Sequence, residues 1–515
     1  MLVALAVFVR AGAVTIVRPI SDYYVAGRLV PAMLNGMAIA VSFAAVLAYA
    51  VLAGSAGEGR AGIVLVLLAG AAGLLGGGML LAPFLRKFGG YTLPDFLGER
   101  FGGAYIRPLA VLGVVLCAFP ALALVLLALG ALATRIFPIE LDLAVLLAGA
   151  VLLLCALGGG MRAASLTQIA QYALLLLVSF IALAILLWLN GGGFGAASSA
   201  AFDKAWTRLS FDGLAAADPL NAFALAFCLA AGVASLPHLL ARGLTTPTNE
   251  EARISYFWAL GFVAALCLAA PVYGVLFASD ALAGRAATAL FGLAAIGAIA
   301  ALLASGSGLL LAVANALSYD VYFKSLHPTA PTEQRLLVAR AAVLLVAILA
   351  VSLAVTWPQE AIDMTAPAFS LAASALLPAL ALGIWWERAT IEGALAGMLV
   401  GLGICLFYLL MPRYFPIAFY EMSSVLSNAT PEQATSYASL RQAYYLADPS
   451  AKEAALAAWD EGARKIANWG GLNTAFAGLI AVPAGLLTAA LVSAFTPAPS
   501  EDTQSFVAEL RKPAS

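Results

Sequence analysis

Charge is what this sequence lacks most. Of its 515 residues only 10% are Asp, Glu, Lys or Arg, while 63% are hydrophobic and the mean hydropathy is +0.99. A soluble domain needs far more polar residue to cover its surface, so that class is excluded. Histidine is almost missing as well. The two present, His238 and His327, have no companion cysteines or carboxylates at metal-ligand spacing, which leaves little room for a metalloenzyme. The five cysteines (Cys117, Cys155, Cys228, Cys267, Cys405) lie singly inside apolar runs and read as small packing residues. The formal net charge is −1, so nothing draws nucleic acid, and no motif favours an enzyme.

What is present is a succession of apolar runs, many of 18 residues or more, the signature of an all-α polytopic membrane protein. Met1 to Val17 is short, carries Arg10 and lacks a cleavage site, so it reads as an abbreviated first helix rather than a signal peptide. Further spans are expected near 31–54, 61–85, 108–134, 140–158, 166–189, 218–242, 254–278, 288–322, 335–356, 361–386, 391–411 and 470–495, about thirteen in all. Between them, Arg86 to Gly103 is too polar to span and reads as a short interfacial helix. Residues 412–468 read as a soluble insert of two surface helices, because Thr430–Gln433 and Ser450–Glu453 both match a capping box. Gly76-Gly77-Gly78 would let another backbone approach closely.

Lys and Arg orient these spans. With the N-terminus outside, the inner connections gather thirteen, from Arg18 and Arg28 to Arg340 and Arg388, against five outer ones, Arg60, Arg135, Lys204, Arg208 and Arg285. The chain then divides into a first helix and connection (1–30), a five-helix unit (31–190), an outer loop (191–217), a second five-helix unit (218–386), an additional helix (387–411), an extracytoplasmic insert (412–468), a last helix (469–495) and a cytoplasmic tail (496–515). The expected place is the inner (plasma) membrane.

One span is broken in the middle. Between Cys228 and Thr246, Gly232, Ser235, Pro237 and His238 interrupt an apolar helix. Proline removes a backbone donor and clashes with the preceding turn, and glycine weakens helix. In lipid such a break is tolerated only where protein or water satisfies the freed groups, although a plain proline kink would look the same locally. A five-helix unit starts on one side of the membrane and ends on the other, so a second copy is inverted. The first helices of the two units, 31–54 with Asn35, Gly36 and Ser42 and 218–242 with Gly232 and Pro237, then occupy equivalent positions. Interrupted helices in equivalent positions of two halves point to a midplane transport site.

Four stretches carry a family resemblance. SDYYVAGRLVPAMLNGMAIA (21–40), GGYTLPDFLGERFGG (89–103), GGMRAASLTQIAQY (159–172) and ASLPHLLARGLTTPTNEEARISYFWAL (234–260) resemble, in order, segments of the sodium:solute symporter family, and the last is most similar to its cation/acetate symporter branch. The resemblance implies a leucine-transporter-like five-plus-five inverted repeat, alternating access and sodium as the coupling ion, with no organic cofactor. It also implies a sodium site from the carbonyls of Ala40 and Phe43 together with Ala301, Ala304 and Ser305, an oxygen set that suits a hard cation. Two departures stand out: Ser42 where many relatives have an acidic or amide side chain, and Ala304 with Ser305 where they have two hydroxyls. The alternative reading of Ser305 is a serine that bonds back to its own helix.

A solute held between the broken spans would meet Phe43, Ala44, Leu47, Gly232, Val233, Ser235, Thr365 and Ser370, mostly small or apolar and all uncharged. Three hydroxyls are few for a sugar, and a short monocarboxylate such as acetate, an organic anion, fits them better. The departures at the ion site keep two alternatives open, a proton-coupled carrier and a transporter-like solute sensor or accessory subunit without coupled flux. For protons the candidates are His238, Glu360 and Asp363, although His238 also reads as a hydrogen-bonded helix-end residue. Oligomeric state is not legible.

Overall fold

The structure is a computed structural model that describes residues 17–55, 63–102, 104–189, 218–278, 285–358 and 365–512, with side chains over 17–43, 65–102, 104–185, 218–267, 290–358 and 367–512. The first span expected over 1–17 and the loop 191–217 lie outside these.

The described chain is all α. Helix α1 (Ile20–Val25) ends in the turn Ala26-Gly27-Arg28, all three at positive φ, and α2 (Ala32–Ser55) leaves at 103° to it. Left-handed backbone is costly for alanine and arginine, so tertiary contacts must hold the turn. The Arg28 guanidinium donates to the carbonyls of Gly89 and Gly90, and the Tyr24 ring packs between Tyr91 and Tyr319. This bend corrects the expected break at Gly36 and Ser42, because α2 runs through both without interruption. Gly36 serves another purpose. A Cβ there would lie 2.5 Å from Trp258 Cβ and 2.9 Å from the Ser255 carbonyl oxygen, so the glycine lets two helices cross. Ser42 donates to the Ala38 carbonyl one turn back, a bond that keeps a serine inside a helix.

Next come α3 (Ile63–Gly76), a π-helical stretch (Gly77–Leu81) and α4 (Ala82–Phe88). A Cβ on Gly73 would stand 2.5 Å from the Ala230 carbonyl and one on Gly77 3.0 Å from that of Ala234, so backbone does approach this helix closely. The interfacial helix α5 (Leu93–Phe101) is capped by Thr92, whose hydroxyl accepts from the Asp95 amide, with Pro94 in its first turn. Buried Arg100 donates to the carbonyls of Gly383, Trp386 and Ala389, and burial pushes its pKa down to about 10. It therefore keeps its charge at neutral pH.

Helices α6 (Ile106–Thr134), α7 (Leu141–Ala156) and α8 (Gly160–Leu189) follow. The second interrupted span is α9 (Pro219–Ser235) and α10 (Pro237–Gly243), bent by 45°. The break falls at Leu236, held at ψ 121 because a residue before proline is pushed out of helical geometry. Then come α11 (Asn249–Ala278), α12 (Arg285–Asn315) with a π-helical extension (Ala316–Leu326), α13 (Thr332–Thr356), α14 (Thr365–Trp385) and α15 (Ile391–Tyr414).

The insert holds three helices rather than two: α16 (Pro416–Ser423), α17 (Pro431–Leu446) and α18 (Lys452–Arg464), around a small core of Tyr437, Trp459 and Ile466. The Thr430–Gln433 capping box forms, but the one expected at Ser450 does not. Its helix starts one residue later than the motif requires, so Ala451 occupies the cap and Glu453 falls short of the third position. Helix α19 (Gly478–Phe495) packs along α15, where Gly393, Gly397 and Gly401 face Ser493, Ala489 and the Ala481 carbonyl. The tail, expected to be merely polar, forms α20 (Glu501–Arg511), which lays Phe506 against Phe88.

Among the described residues, eight helices are long and apolar enough to cross a membrane, or ten with each bent pair taken as one span, against about thirteen expected. Helix α7, with 16 residues, is shorter than the roughly 20 that span a bilayer core, and the span expected over 254–278 is only partly described.

Candidate functional site

The helices α2, α8 and α12 meet in the middle of the bundle. There the Ser305 hydroxyl donates to the Ser42 carbonyl across 2.7 Å, with both residues buried. It does not bond back to its own helix; it joins the two helices expected to share an ion. Ala40, Phe43, Ala301 and Ala304 are buried beside it. The Ala304 carbonyl is otherwise engaged. It accepts from Gln168 Nε2 at 2.7 Å and from the Ser307 hydroxyl at 2.9 Å, which uses both of its lone pairs. The Ser305 hydroxyl is thus the side-chain oxygen placed where α2 crosses α12. Among the described residues there is no group of three His, Cys, Asp or Glu able to hold a metal ion, so carbonyl and hydroxyl oxygens are the donors on offer. They suit a weakly held hard cation.

The expected solute walls fall into two places. Phe43 and Val233 both lie on the small face of α3. Side chains added at Gly70 and Gly73 would meet the Phe43 ring at 2.2 Å and Val233 Cβ at 2.7 Å. Gly232 instead faces α14, where its Cβ would stand 2.6 Å from Phe369 Cβ. Ser370 donates to the Ala475 carbonyl at 2.8 Å, next to the start of α19, and Ser235 donates back into α9 at Ala231. Both hydroxyls are thus already used. The side chains of Ala44, Leu47 and Thr365 lie outside the described residues.

Three polar residues matter here that neither the expected ion set nor the expected solute walls include. Gln168 pins α8 to α12, and its position with Gln171 on one face of an apolar helix was the available signal. Asn35 binds the last turn of α10, donating to the Arg242 carbonyl and to Ser255. His238 lies against the α12 face at Gly308, beside Gln168.

On the α5 side of the bundle, an ionic cluster ties α5, α6 and the π-helical extension together. Asp320, fully buried, accepts from Thr92 at 2.7 Å; Arg107 and Lys324 stand within 3.6 and 3.3 Å of Asp95, and both reach Glu99. The hydrogen bond from Lys324 holds the Glu99 carboxyl below the usual carboxylate range. Asp22 and Arg162 pair nearby, joining α1 to α8.

Comparison with known proteins agrees with this architecture. A family model described as the sodium:solute symporter family matches residues 23–289 and 286–401. An uncharacterised symporter of Cupriavidus necator is 27% identical, over 99% of this chain and 93% of its own. Among solved structures, a sodium-coupled sialic acid symporter in a substrate-bound outward-open state superposes with a TM-score of 0.70, over 97% of each chain at 15% identity. A manganese transporter of Eremococcus coleocola matches more loosely, with a TM-score of 0.45 over 93% of this chain and 98% of that one at 14% identity. The structural likeness at 0.70 establishes a shared fold. The family match runs from Tyr23 in α1 to Gly401 in α15, through every helix of the site. This multi-pass membrane protein is a secondary transporter of a small solute, and it belongs to the sodium:solute symporter family.

Proposed function

We propose that the chain is a sodium-coupled symporter of a short monocarboxylate such as acetate, working by alternating access between the two halves of a leucine-transporter-like inverted repeat. The observation that carries this reading is the Ser305 hydroxyl on the Ser42 carbonyl. Its oxygens sit where α2 crosses α12, and a hydroxyl that donates one proton keeps lone pairs for a cation. The uncharged surroundings of Phe43 and Val233 favour a small solute with an apolar end. The family's ion and the sodium dependence of the sialic acid symporter support sodium.

Uptake of labelled acetate into proteoliposomes tests carrier and ion together. Accumulation should require an inward sodium gradient. Binding without accumulation would make the protein a solute sensor, and accumulation that ignores sodium but follows an imposed pH gradient would make protons the coupling ion.

The orientation is a second expected outcome, motivated by the thirteen-to-five Lys/Arg bias. A cysteine at exposed Ser439 in α17 should react with an impermeant thiol reagent from outside, and one at Ser325 only after permeabilisation. The opposite pattern would invert the membrane placement.

A further inference from the structure

The tail helix α20 is gripped from two sides. Val507 and Leu510 are buried, and Phe506 sets its ring edge-on to Phe88 of α4, 6.1 Å between centroids. From α4, the Lys87 ammonium donates to the carbonyls of Glu509 and Lys512 at 2.6 and 2.7 Å, a cation on the negative end of a helix. At the end of α14, Arg511 donates to the Glu387 carboxylate and to the Trp385 carbonyl. One helix of 11 residues thus holds α4 by its backbone and α14 by its last side chain.

Those two helices have different attachments. Helix α4 is tied to the α10 half of the broken span. Arg86 donates to the Thr246 and Pro247 carbonyls just beyond α10, and a Cβ on Gly243 would stand 2.8 Å from Ala82 Cβ. Helix α5 is fixed instead to the end of α14, by Arg100 on the carbonyls of Gly383, Trp386 and Ala389. Gly89-Gly90 joins α4 to α5, and Gly89 sits at φ 82, backbone that favours glycine. A joint at these glycines lets α4 and α10 move together while α5 stays on α14. Across that joint run the Trp385 indole, which donates to the Leu80 carbonyl and meets the Phe84 ring at 4.9 Å, and α20. We propose that α20 is a strap that holds α4 and α10 against α14 and must let go when this end of the bundle opens. The proposal rests on alternating access, part of the transport reading, for the motion it restrains, but not on the identity of the solute.

The test compares release with locking. Leu81→Cys, buried next to the Leu80 carbonyl, reports opening through its rate of alkylation by a maleimide in the purified protein. Ending the chain at Ala498 keeps Thr496, which accepts from Arg388, and removes α20. Alkylation should then rise about fivefold or more, the scale of one lost hydrogen bond at least. Glu387→Arg guards against misfolding of the shortened chain. It should raise the rate in the same direction, and Arg511→Glu added to it should bring the rate back towards the parent. For locking, Phe88→Cys/Phe506→Cys is joined by a short bis-methanethiosulfonate, with Phe506→Cys alone as the control for the reagent. Uptake of labelled acetate into proteoliposomes should fall about tenfold on cross-linking and return with reductant. Alkylation that truncation and Glu387→Arg both leave unchanged would overturn the strap, as would a cross-linked protein that transports at its uncross-linked rate. A protein that shows the alkylation response yet accumulates no acetate would overturn the transport reading alone.

Discussion

Gly232→Leu is expected to abolish solute uptake while the protein still inserts in the membrane. A Cβ at this position would stand 2.6 Å from Phe369 Cβ and 2.8 Å from both its Cα and its carbonyl oxygen. Two of those three atoms are backbone, so no rotamer change relieves the clash, and α9 and α14 must move apart. Overpacking by a methylene or so costs about 1–3 kcal/mol, and leucine adds more than that. The strain falls one turn before the break at Leu236, where α9 must keep its angle to α10 for the two halves of the span to work together. Gly232→Ala should cut uptake about tenfold or more. Gly403→Ala in α15 is the matching control, because nothing lies within 4 Å of its added Cβ. It should transport normally, and helix propensity favours alanine there by about 1 kcal/mol. Uptake is read in proteoliposomes, with surface quantity and melting temperature measured alongside. Normal uptake by Gly232→Leu would reduce the broken span to an ordinary packing kink.

These two glycines also show where the sequence stops speaking. The break at Leu236 was legible because proline acts on its own neighbour, a local rule that needs no partner. The bend before α2 was not. Ala26 and Arg28 adopt left-handed backbone only because Arg28 reaches Gly89 and Tyr24 is wedged between Tyr91 and Tyr319, contacts far away in sequence. Gly36 looked like a helix breaker and is a crossing point, since both uses want a missing side chain and only the neighbour, here Trp258, decides between them. Thr430 caps its helix as its motif states, whereas Ser450 misses by a single residue of helix start. At the site, Gln168 was visible as a polar face, but its target, the Ala304 carbonyl 136 residues away, was not. The hydroxyl of Ser305 had two geometrically equal choices on paper, its own helix or another, and the fold sends it to Ser42.

That choice sets the second large effect. Ser305→Ala should raise the sodium concentration for half-maximal uptake about ten- to a hundredfold. The hydroxyl does two things that alanine cannot. On the proposed reading it offers an oxygen to the cation, and its bond to the Ser42 carbonyl ties α2 to α12 at their crossing. Loss of a hydrogen-bond-strength contact to a charge is worth about 1.5–3 kcal/mol, and each 1.4 kcal/mol is a factor of ten in affinity. Few ligands remain to share the loss, because the Ala304 carbonyl is taken by Gln168 and Ser307. Excess sodium should therefore restore part of the rate. Ser42→Ala is the informative contrast, since that side chain bonds only to Ala38 in its own helix, and the carbonyl that meets Ser305 survives the change. It should leave the sodium dependence within about threefold, below the half-decade that separates it from a lost ligand. Ala304→Ser, which adds a second hydroxyl beside the first, should move the sodium requirement downwards. If Ser305→Ala leaves the sodium requirement unchanged while the parent protein follows a pH gradient, sodium is not the coupling ion here, and buried His238 becomes the group to substitute next.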